Sequence, residues 1–174
     1  MRTRERRIDL FIEMAGGMVS QEIFDDLYDR GFFTAPASTK FHGSYEGGLF
    51  DHSYLVAQHL ADLTEQCGLQ WERPRSPVLV GLFHDLCKID QYNKVEGHYE
   101  YNTDTLLKGH GDKSVMMLSH YFQLTEEEIM CIRYHMGAFC DKEEWGDYTR
   151  AVRKYTNVLF THTADMLASH VCGV

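Results

Sequence analysis

Gly81-Leu82-Phe83-His84-Asp85-Leu86-Cys87-Lys88 sets an imidazole and a carboxylate side by side in the most apolar stretch of the chain. Ser76-Pro77 just before it reads as a helix cap followed by proline at the first helical position. Val78 to Ile89 is apolar nearly all round, so this helix is expected at the centre of the molecule. A buried, adjacent His and Asp are costly unless they are paired or hold a metal. His84-Asp85 therefore calls for partners elsewhere in the chain.

Candidates lie on both sides. His52 precedes His84, and His110, His135 and Asp165 follow Asp85, at intervals of 25 to 32 residues. Each interval suits one helix and its connection. Each side chain would then come from a different helix and point into a common interior, which is how helix bundles build metal sites. The helical faces agree. Leu49, His52, Val56, Leu60 and Leu63 share one stripe, and His135 follows Ile132 by three. Asp165 shares a stripe with Val158, Thr161, Ala168 and Cys172. His110 sits on a loop just before a helix start.

The rest of the chain reads as mostly helical. Ile8, Phe11, Ile12 and Ala15 form a first amphipathic stripe, closed by Gly16-Gly17. Ser20 caps a second helix carrying Ile23, Phe24 and Leu27, which stops near Gly31. A Gly- and Ser-rich loop runs from Ala35 to Gly48, and a third helix starts near Leu49. Residues 91–101, with tyrosines flanking Glu96-Gly97, suggest a short β-hairpin. Lys113 to Phe122 is helical, and Thr125 with Glu128 makes a capping box for a helix reaching His135. A last helix runs from Trp145 to His170, with room for a break. The expected fold is all-α with this one β excursion. It is a single domain over 1–174, with helices in 1–34 packing on a core spanning 40–172.

Composition narrows the function. The chain has 174 residues, 44% of them hydrophobic and 25% charged, as globular domains do. Its 26 acidic against 17 basic residues leave a formal net charge of −9, which argues against coating long duplex nucleic acid. The five cysteines form no C-x-x-C pair, so neither a disulfide framework nor a zinc ribbon is expected. No apolar run is long enough to span a bilayer, and Ile8 to Ile12 is too short and polar for a signal-peptide core. A soluble, cytoplasmic protein is expected.

The order His52 … His84-Asp85 … Asp165 resembles the H…HD…D signature of the HD-domain metal-dependent phosphohydrolases. His110 and His135 resemble the additional ligands of that superfamily's two-metal variant. The approach His42-Gly43-Ser44-Tyr45-Glu46-Gly47-Gly48-Leu49-Phe50-Asp51-His52 is similar to a segment of the HD-type 3′–5′ exoribonuclease branch, whose usual nucleic-acid-binding domain is not recognisable here. One departure is Cys87, where the family often has glycine before the lysine.

The resemblance implies one or two divalent metals and hydrolysis of a phosphate ester. His52, His84 and Asp165 would hold one metal and His110 and His135 the second, with Asp85 bridging. Two dications against two carboxylates leave a positive site matched to a phosphate dianion. Oxygen and imidazole donors suit Mn²⁺, Fe²⁺, Co²⁺, Ni²⁺ or Zn²⁺ better than Mg²⁺. Asp85 and Lys88 would carry catalysis, with Lys88 also holding a phosphate oxygen. His42, Tyr45, Gly47 and Gly48 would face the substrate, a nucleotide or short oligonucleotide.

Asp51 would orient an imidazole or face solvent, and the arginines from Arg2 to Arg7 read as a solvated helix start. His162 and His170 read as structural or solvent-facing, with His162 also placed to orient a ligand, and His59, His98 and His120 as surface or packing residues. Two other functions fit the same ligands: a mixed-valent di-iron oxygenase, and a non-catalytic nucleotide-binding module.

Overall fold

The computed structural model describes residues 1–107 and 109–174. Among them, helices α1 (Arg4–Ala15), α2 (Gln21–Asp29), α3 (Gly48–Cys67) and α4 (Ser76–Phe83) come first. A two-stranded antiparallel ribbon follows, β1 (Tyr92–Val95) with β2 (His98–Tyr101). Helices α5 (Gly111–Leu118), α6 (Glu126–Arg133), α7 (Trp145–Lys154) and α8 (Asn157–Met166) complete the domain. The expected all-helical class with one hairpin is the observed one.

Local chemistry accounts for the boundaries. Thr3 and Ser20 accept hydrogen bonds from Arg6 N and Ile23 N at the starts of α1 and α2. Gly16, at φ +42°, ends α1 in the left-handed conformation. Thr125 and Glu128 form the reciprocal capping box of α6. In the ribbon, Glu96 and Gly97 both have positive φ, 47° and 88°, as a tight hairpin turn with right-handed strand twist requires. Tyr92 pairs with Tyr101 across it.

Five phenylalanines make the heart of the core. Phe11 meets Phe32, Phe33, Phe50 and Phe83 mostly edge-on, at centroid separations of 5.4 to 6.4 Å. Phe11 thereby fastens α1 to α3 and α4. Helices α3 and α4 touch backbone to backbone: a Cβ on Gly81 would lie 2.4 Å from Ala57 Cα. That approach brings His52, upstream of Ala57, level with His84, downstream of Gly81.

Several sequence expectations are corrected. The central helix does not run to Ile89. It stops at Phe83, Asp85 leaves helical geometry at φ −106° and ψ 22°, and Leu86–Ile89 resumes as a 3₁₀ turn. Neighbours in a continuous α-helix point about 100° apart. The break lets His84 and Asp85 face the same interior. Ser76 is the first residue of α4 and not its cap; its hydroxyl donates to Glu128 Oε1 at 2.7 Å. The last segment has the break for which the sequence left room, at Tyr155-Thr156 between two helices, and adds a π-helical turn at Leu167–Val171. Ile12 is 59% exposed; α1 instead buries Arg7, Leu10, Phe11 and Ala15.

Candidate metal centre

Asp85 is the hub, and its two carboxylate oxygens sort the histidines into two sets. Oδ2 lies 3.7 Å from His52 Nε2 and 3.5 Å from His84 Nε2. Oδ1 lies 3.5 Å from His135 Nε2 and 3.8 Å from His110 Nδ1. Asp165 Oδ1 stands 3.2 Å from His52 Nε2. All six expected ligands thus converge, from α3, the end of α4, the start of α5, the turn after α6, and α8.

Second partners orient the imidazoles. Nδ1 of His84 lies 2.9 Å from the Gly81 carbonyl oxygen, and Nδ1 of His135 lies 2.7 Å from that of Ile132. Nδ1 of His52 lies 2.8 Å from Val174 O. Those oxygens only accept, so each Nδ1 carries the proton and each Nε2 turns a lone pair inward. His52 Nε2, His84 Nε2, His135 Nε2 and Asp85 Oδ1 are all buried with no hydrogen-bond partner. Four orphaned acceptors aimed at one point would be costly in a folded core. A divalent cation satisfies them together, and the donor set fits one.

Lys88 faces the same centre from the 3₁₀ turn, its Nζ 2.5 Å from Asp85 Oδ2. Burial by itself would raise the Asp85 carboxyl. The Lys88 ammonium and His84 beside it hold the group well below the usual carboxylate range. The same ion pair raises Lys88 against the pull of its burial, so both groups stay charged. His42 packs its ring 5.0 Å from that of His52. Burial first, then the neighbouring His52 and the Lys88 ammonium, lower it to about 4, so it is neutral at physiological pH.

The cluster forms the floor of a cavity of about 790 Å³, within the range of small-molecule sites. His42, Asp85, Lys88, His110 and Asp165 line it. Its rim carries Phe41, Tyr92 and Tyr101, together with Phe139, His162 and His170. Of these, the sequence reading placed His162 and His170 as structural or solvent-facing. His162, three residues before Asp165, carried a faint positional signal. Its Nδ1 meets the His135 carbonyl oxygen at 2.8 Å, and Gly137 makes room, since a Cβ there would lie 2.5 Å from its ring. Tyr92 and Tyr101 carried none, because only the hairpin's docking brings them here.

The structure does not bring the rest of the expected substrate segment to the cavity. A Cβ on Gly48 would lie 1.9 Å from Gly43 O, and one on Gly47 would lie 2.2 Å from Arg7 Cζ. Gly48 permits close backbone packing and Gly47 makes room for the Arg7 guanidinium, and neither lines the cavity. The Tyr45 hydroxyl donates to Asp51 Oδ2 at 3.1 Å. Asp51 neither orients an imidazole nor faces solvent: Arg7 grips both its oxygens, at 3.1 and 3.0 Å, with Arg2 adding a contact at 3.2 Å. Arg7 is therefore buried in an ion pair, not solvated.

The family model described as HD domain matches residues 49–166. That span holds all six converging ligands and begins just after the glycine loop. No curated protein and no solved structure matches the chain.

Proposed function

The chain belongs to the HD-domain family, and on that premise we propose that it is a metal-dependent phosphohydrolase cleaving a phosphate ester of a nucleotide or short oligonucleotide. The observation that carries this reading is the set of orphaned acceptors. Three imidazole nitrogens and a carboxylate oxygen are buried, unpartnered and convergent. His52, His84, Asp85 and Asp165 would hold one divalent cation, and Asp85, His110 and His135 a second. Bound there, such cations lower the pKa of water, polarise a phosphoryl oxygen and offset developing negative charge.

The chain's own groups have separate tasks. Asp85 keeps its charge in a buried setting and can serve both positions through its two oxygens. Lys88 points its ammonium at the cavity floor, where it can meet a phosphoryl oxygen. Neutral His42 offers a hydrogen bond without adding charge. The aromatic rim, Phe41 with Tyr92 and Tyr101, suits a flat, apolar group such as a base. Lys88 is the single lysine or arginine lining the cavity among the described residues, which favours a substrate with few phosphates. No helix of the described residues is long and apolar enough to cross a membrane.

The test is metal content by mass spectrometry on protein purified without chelator, beside phosphate release from nucleoside mono- and triphosphates, cyclic nucleotides and short RNA. One or two equivalents of Mn, Fe, Co, Ni or Zn, lost with turnover in Asp85→Ala, are expected. Protein that takes up no metal on reconstitution would sink the proposal. Bound iron with dioxygen consumption and no phosphate release would replace it with the oxygenase.

A further inference from the structure

Cys87 has no part in the hydrolysis described above, yet its thiol is buried at the centre. Its Sγ lies 3.6 Å from His110 Nδ1. Sγ, Nδ1 and a carboxylate oxygen of Asp85 all lie within 4.8 Å of one another. We propose that Cys87 is a metal ligand, completing with His110 and Asp85 a carboxylate–imidazole–thiolate position for a thiophilic divalent cation such as Zn²⁺ or Co²⁺. The inference rests on reading the cluster as a metal centre, and adds a sulfur donor to it.

Three observations meet here. The first is spacing. With zinc–sulfur and zinc–nitrogen bonds of about 2.3 and 2.05 Å, the sulfur-to-nitrogen edge of a tetrahedron is about 3.5 Å. The observed separation is 3.6 Å. The second is the orphaned acceptor. Asp85 Oδ1 is buried without a partner and stands 3.8 Å from the same His110 nitrogen. The third is how firmly the pair is held. Ser114 Oγ accepts the Cys87 backbone N–H at 3.1 Å, and Ser114 stands one turn into the helix that His110 begins. One helix therefore fixes both donors. The Cys87 thiol has a single proton, and Gln91 Oε1 at 3.7 Å can accept it, which leaves sulfur lone pairs for the cation side.

Loading is balanced. The thiol proton leaves to solvent as the sulfur–metal bond forms, and thiolate with carboxylate neutralises the dication. Thiolate favours Zn²⁺ or Co²⁺ over Mg²⁺ and Mn²⁺, which prefer oxygen.

The experiment loads metal-free protein with Co²⁺ or Zn²⁺. Expected are a near-ultraviolet thiolate-to-cobalt charge-transfer band and a sulfur shell at about 2.3 Å in zinc X-ray absorption. Cys87→Ser should lose the band and one of two cobalt equivalents. The Cys67→Ser/Cys172→Ser double variant, which removes the two exposed thiols, should keep both. Metal bound through nitrogen and oxygen alone would overturn the ligand assignment and leave the hydrolase reading standing. Protein that binds no metal overturns both. Should Cys87→Ser fail to fold, the absorption edge of the unmodified protein decides.

Discussion

Asp51 and Arg7 are each almost wholly buried, and their bidentate pair ties the start of α3 to α1. Removing one partner strands the other's charge in the core. Asp51→Ala should cost about 3–5 kcal/mol in urea unfolding, and a loss below 1 kcal/mol would mean that solvent reaches Arg7. Tyr45 donates to the same carboxylate. Its burial, and then the Asp51 charge, raise the phenol to about 12. The ordinary unfolded value is about 10. A raised folded pKa gives stability that is fully present below the unfolded value and lost as pH climbs through the folded one. The stability advantage of wild type over Tyr45→Phe should therefore be level up to about pH 10 and shrink from there to about pH 12. An advantage flat across that window would remove Tyr45 from the network. His52 was legible as a candidate ligand from its apolar stripe. The role of its neighbour Asp51 was not, because its partner Arg7 lies 44 residues away.

Helix-to-helix distance is what places the candidate ligands. Gly81 lets α3 and α4 touch, and Gly111 does the same for α5 and the end of α6, where a Cβ would lie 2.1 Å from Arg133 O. Gly81→Ala must push backbone against backbone. It should destabilise by about 1–3 kcal/mol and lower metal occupancy, because His52 and His84 stand on the two separated helices. Gly146 is the contrasting case. It lies in α7, and a Cβ there would meet only Arg150 Nη1, at 3.7 Å. Gly146→Ala should stabilise by about 0.5–1 kcal/mol. Paired urea and metal-content measurements check both, and equal effects from the two substitutions would refute the close-packing account. The 3.6 period revealed these helices well. It did not reveal that the central one breaks at Phe83, since Leu86, Cys87 and Ile89 keep the stretch apolar beyond it.

For the whole molecule, the proposed metal centre would draw its ligands from five places in the chain and so exist only when all of them are assembled. A cation bound by the folded state alone stabilises it by mass action, about 2.7 kcal/mol at a hundredfold excess over Kd. Chelation should lower the melting temperature by several degrees, with full recovery on adding back the metal, while Asp85→Ala should show no metal-dependent shift. Equal melting temperatures with and without chelator would count against a built-in centre. Phe11 offers a separate check. Its removal by Phe11→Ala should cost about 3–5 kcal/mol, since its ring contacts four other phenylalanines of the core.

By itself the amino-acid sequence determined the helical class, the hairpin at Glu96-Gly97 and the capping box at Thr125. It also singled out the six side chains that the fold brings together around Asp85. Those features follow from local periodicity, turn chemistry and the cost of burying a bare imidazole and carboxylate. Only the tertiary structure decided that Gly47 and Gly48 pack against Arg7 and Gly43, that Tyr92 and Tyr101 reach the cavity, and that Cys87 stands beside His110. Most of those join segments far apart in the chain, and even the short Gly43–Gly48 approach is a contact made by the folded loop; no local pattern of residue types encodes how closely such groups come together.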